Sequence, residues 1–167
     1  MTDEVTAAQL PPDARNGLVA ELAEIVIERT APEELVLFQE NAAEYFRDPR
    51  AALKSGDRDE PVGFGLDMVM MTPYVLAVVA PVVQFLVTTM VEAVAEESAT
   101  HVVDLVRRRF LRGRPADDEP AGGVEPLSEE QLRQVREVAL RAAQGVRLDD
   151  GQANLLADAV VGGLVKR

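Results

Sequence analysis

The sequence predicts an all-α protein: a small helical bundle with a long central apolar helix and a C-terminal helical hairpin. Three observations predict it. Apolar residues recur at three- and four-residue spacing along most of the chain. Residues 68–91 form one uncharged, strongly apolar stretch. Near the C-terminus, two successive helix-start patterns lie about twenty residues apart.

The elements follow in chain order. Residues 1–14 are polar and contain Pro11 and Pro12, which reads as a frayed lead-in. From Asn16 the spacing turns helical. Leu18, Leu22, Ile25 and Val26 fall on one side, and Glu21, Glu24 and Glu28 on the other, up to about Arg29. Thr30 with Glu33 has the spacing of a capping box, and Pro32 suits a first turn, so a second helix is expected to start at Thr30. Its inward face is Leu35, Phe38, Ala42 and Tyr45, and Pro49 ends it. A short helical piece is expected around residues 50–53. A charged loop bearing Gly and Pro follows over residues 54–65.

After the apolar stretch the chain turns amphipathic at Glu92 and runs to a basic end, residues 107–114. Residues 113–126 are a linker by composition. Ser128 with Gln131 forms a capping box, with Leu127 and Leu132 placed as its hydrophobic staple. That helix runs to about Ala143, where Gly145 can stop it. Asp149 with Gln152 repeats the start signal. Leu155, Leu156, Ala159, Val160 and Leu164 are the apolar side of the last helix. Two short helices with so short a connection form an antiparallel hairpin. Alone they bury too little area to offset their ordering entropy, so the hairpin must dock. The expected organisation is a helical domain over residues 1–112, a linker over 113–126 and the hairpin over 127–167.

Composition removes several classes of function. The 167-residue chain carries 29 acidic against 17 basic side chains, a net charge of -12. Such a surface repels phosphate backbones and anionic headgroups. Aromatic residues are 4% and Trp is absent, which leaves little to stack on bases. No nucleic-acid partner is expected. Zero cysteines exclude disulfides, thiol nucleophiles and cysteine-based metal sites. The basic residues are nearly all Arg, with Lys only at Lys54 and Lys166. With abundant Ala, Val and Gly, this points to a GC-rich bacterial genome. Asp3 and Glu4 stand where a signal peptide needs cations, so the expected location is cytoplasmic or associated with the inner membrane.

Two readings compete for residues 68–91. The stretch has membrane-spanning length, and its mean hydropathy of roughly 2 is in the transmembrane range. Residues 69–87 contain ten Val, Leu or Phe side chains. Together these favour insertion by roughly 3–6 kcal/mol. Pro73 and Pro81 each free a backbone carbonyl, which in lipid costs several kcal/mol unless repaired, and Thr72, Tyr74 and Gln84 add polar groups. The net sum for insertion is small. Pro81 could also break the stretch into a re-entrant pair of half-length helices.

The other reading is a core helix. Gln84, Thr88, Glu92 and Glu96 recur every four residues, with Asp104 and Arg108 in the same row. That is one polar edge on a long helix from about Val82 to Leu111, otherwise wrapped by its neighbours. On either reading Val75, Val79, Val83, Phe85, Leu86 and Val87 meet lipid or protein, and Arg107, Arg108 and Arg109 are the basic anchor. For a membrane helix that cluster marks the cytoplasmic side. For a soluble helix it complements the dipole at the C-terminus.

No catalytic constellation is visible. His101 is the single histidine, flanked by Glu97 and Asp104. Ligands from a single helix seldom converge on one ion, so a solvated face explains them better. Glu92, Glu96 and Glu97 lack the Glu-x-x-His pairing of carboxylate-bridged metal bundles. Residues 61–65 hold two glycines without the Lys and Ser/Thr of a phosphate loop. The expectation is a non-enzymatic protein without cofactor or evident small-molecule substrate. It associates with the membrane through the apolar helix or, alternatively, is a soluble adaptor or assembly subunit with a protein partner or a second copy.

Overall fold

The computed structural model describes residues 10–56, 70–93, 99–111 and 127–165. Seven α-helices and no strand occur among them. They are α1 (Pro12–Thr30), α2 (Phe38–Arg47), α3 (Pro49–Gly56), α4 (Thr72–Ala93), α5 (Ala99–Val106), α6 (Glu129–Gly145) and α7 (Asp150–Val165). The all-α bundle with a long apolar helix is therefore the observed fold.

α1 begins earlier than the periodicity implies. Pro12 occupies the first turn, where a missing N–H is tolerated, and the Arg15 amide donates to the Pro11 carbonyl at 3.1 Å. Leu10 is already buried, so Pro11 and Pro12 start a helix and are not a frayed lead-in. At the other end the expected capping box fails. The Thr30 hydroxyl donates back to the Val26 carbonyl at 2.9 Å, which makes Thr30 the last residue of α1. Ala31 caps the next turn without a side-chain hydrogen bond. That turn, Pro32–Leu37, is a tight 3₁₀ helix leading into α2. Phe38 and Ala42 of α2 are buried, and Leu35 and Tyr45 are partly buried, as their spacing predicts. Burial pushes the Tyr45 phenol above its ordinary pKa. Asp48 ends α2 in extended backbone, and its carboxylate accepts the Ala51 amide at 3.1 Å to open α3.

α4 is the spine. It packs against α1, α2, α3 and α6 and runs unbroken through Pro81. The half-length hairpin is thus not formed. Pro81 lies on the exposed edge, where water can take the carbonyl it leaves unpaired. The helix also starts at Thr72, well before the expected Val82. It ends at Ala93, and α5 starts at Ala99. Residues 94–98, Glu96 among them, lie outside the described residues. α5 continues into a π-helical turn, Arg107–Leu111, that packs on α1 and α7.

The hairpin forms and docks. The Ser128–Gln131 capping box is complete in both directions, at 3.1 and 2.9 Å. The Asp149 carboxylate accepts the Gln152 amide at 2.8 Å to start α7. α6 packs on α4 and α7 on α1, and all four helices share one apolar core. Arg136 joins the two helices through Asp158 at 2.8 Å and Asn154 at 2.9 Å. Gly145 does not supply the left-handed residue that closes α6. Arg147 does, with φ 64°, while Leu148 donates to the Ala143 carbonyl and Arg147 to that of Gln144. The expected linker, residues 113–126, and most of the 54–65 loop lie outside the described residues.

Candidate functional site

The central helix is where the sequence placed the function. Val75, Val79, Val83 and Leu86 have no exposed surface, and Val87 has almost none. Leu76, Val78, Val82 and Met90 join them in the core, and Phe85 is partly buried against it. Each fully buried side chain of this size stabilises the fold by about 1.5–3 kcal/mol relative to exposure. The exposed edge of α4 is Pro81, Gln84, Thr88 and Glu92, and the last three of these are the first half of the polar row read from the sequence. The Thr88 hydroxyl is satisfied within the helix by the Gln84 carbonyl at 2.9 Å. By length and composition the span Thr72–Glu92, of mean hydropathy 2.1, is able to cross a membrane, and a core helix meets the same criteria.

The start of α4 is fixed by a residue the sequence reading missed. The Glu34 carboxylate accepts the Met71 amide at 2.7 Å, the Thr72 amide at 2.8 Å and the Thr72 hydroxyl at 2.6 Å. Thr72 is fully buried. An acidic side chain on the unpaired amides of a helix N-terminus also meets the positive end of the helix dipole. No local signal reveals this contact, because its partners lie 37 and 38 residues apart.

The basic cluster divides. Arg107 turns inward along the bundle, and its Nε reaches both Glu21 carboxylate oxygens, at 2.8 and 3.0 Å. Asp104 lies 3.7 Å from the same guanidinium. Arg107 is thereby engaged in holding the end of α5 to α1. Arg108 is exposed, and the Arg109 side chain lies outside the described residues. His101 and Asp104 sit on α5, with His101 exposed, and Glu97 is outside the described residues. Among the described residues no group of three His, Asp or Glu side chains gathers as metal ligands would.

Comparison with known protein families, with curated proteins and with solved structures found no match for this chain.

Proposed function

We propose that this chain is a non-enzymatic, soluble helical adaptor or assembly subunit of the bacterial cytoplasm, with its apolar helix held in its own core. The single observation behind this reading is the complete burial of Val75, Val79, Val83 and Leu86 by α1, α2 and α6 of the same chain. Magnitudes favour it. Insertion of α4 is worth roughly 3–6 kcal/mol, less the several kcal/mol that Pro81 forfeits in lipid. Withdrawal of α4 from the bundle would uncover Leu18, Leu22, Val26 and Phe38, which belong to the same core. Each of these is worth about 1.5–3 kcal/mol.

The second reading is association with the inner membrane through α4, and the length and hydropathy of Thr72–Glu92 favour it. Ultracentrifugation after detergent-free lysis separates the two. A soluble adaptor stays in the supernatant at low and high salt, and Val83→Glu makes it aggregate. Recovery only from detergent-extracted membranes would overturn the first reading in favour of the second.

A further inference from the structure

The apolar side chains that the sequence offers to a partner are taken up by the core, so a partner must meet other surface. Among the described residues, large exposed apolar side chains concentrate at one end of the bundle. Val36 is 88% exposed, Leu37 48% and Met70 36%. Val36 and Leu37 belong to the 3₁₀ turn that also carries Glu34. Glu34 holds the Met71 amide, which brings Met70 to the same end. The other two exposed among the described residues, Leu155 and Val165, stand apart on α7.

The rim of this apolar seat is mostly acidic, with Arg47 as the one cation at the far end of α2. On the helical path from Pro32 into α2, Glu33 lies three residues before Val36, Glu40 four after it and Glu44 one turn further. All three are exposed, and none makes an ion pair with any described residue. Exposed carboxylates of this kind repel anionic bilayers and nucleic acids, and they oppose a second copy of this acidic face. They complement a helix with Leu-type side chains on one face and Lys or Arg beside them.

We propose that this end of the bundle docks a basic amphipathic segment of a protein partner. The proposal rests on the soluble-adaptor reading and names the partner's chemistry. The test uses the full chain and a fluorescent synthetic amphipathic helix of leucine and lysine, with its leucine–glutamate twin as control, followed by anisotropy. Val36→Asp is decisive because the two explanations differ in sign. Diffuse attraction of the peptide to a chain of net charge -12 is strengthened or unchanged by one more carboxylate. Docking at the apolar seat is weakened, by about tenfold. Glu40→Lys also weakens it, whereas Leu155→Asp does not. Circular dichroism confirms that the variants keep the helical fold. Equal or tighter binding by Val36→Asp would overturn the proposal, as would equal binding of the glutamate twin. It would also fall if the wild-type chain bound neutral vesicles and not the peptide, or formed a dimer that Val36→Asp dissolved. A detergent-free monomer that ignores the peptide defeats the docking site alone, whereas a chain that needs detergent defeats the adaptor reading itself.

Discussion

Glu34 and Thr72, 38 residues apart, are joined by two hydrogen bonds, from the Thr72 amide at 2.8 Å and from its hydroxyl at 2.6 Å. With the Met71 amide, one carboxylate satisfies three donors at the entrance to the central helix. Glu34→Ala leaves those donors without their partner, and the buried Thr72 hydroxyl cannot turn to water in its place. The expected loss is about 1–3 kcal/mol. For a domain of this size that lowers Tm by about 2–4 °C per kcal/mol. Thermal and urea unfolding measure it, and a Glu34→Ala protein as stable as wild type would refute this role.

Two adjacent glycines of α7 make opposite predictions. A Cβ at Gly163 would lie 2.9 Å from Ile25 Cγ2, a branched carbon locked in the α1–α7 contact. Overpacking there outweighs alanine's better helix propensity, and Gly163→Ala destabilises by about 1–2 kcal/mol. A Cβ at Gly162 meets only the end of the Arg29 side chain, at 3.2 Å, which can swing away. Gly162→Ala therefore stabilises by about 0.5–1 kcal/mol. Urea midpoints of the two variants should move in opposite directions.

Arg147 holds a left-handed backbone, φ 64°, to close α6. That conformation costs a residue with a Cβ about 1–2 kcal/mol, part of which glycine gives back through its freer unfolded chain. Arg147→Gly should raise stability by about 0.5–1 kcal/mol in the same unfolding experiment. A loss would mean that the Arg147 side chain contributes more than its backbone costs.

Helix content was legible because its signals are local. The Ser128–Gln131 box and the Asp149 cap need only the residues within one turn, and both formed as read. Thr30 was misread because one hydroxyl can cap the following helix or bond back to residue i−4, and only the bend into Pro32–Leu37 decides between them. Arg147 was missed because glycine is merely the commonest left-handed residue, and the length of α6 put that turn two residues past Gly145. The apolar face of α4 was legible as a face needing cover, while the identity of the cover was not. Hydrophobic burial is non-directional, and Val83 is removed from water by core side chains or by an acyl chain alike. Exposed seats such as Val36 carry no period that separates them from core positions, since the 3₁₀ turn shifts the register between α1 and α2.

The proposed function requires that α4 be covered by its own chain. The absence of cysteine permits a direct measurement, because Val83→Cys and Gln84→Cys each introduce a single thiol, at a buried and an exposed position one residue apart. Maleimide labelling of the detergent-free protein under native conditions should modify Gln84→Cys rapidly, and Val83→Cys slower by roughly a hundredfold or more, through rare opening of the bundle. Equal labelling rates at the two positions in a soluble, folded chain would contradict it.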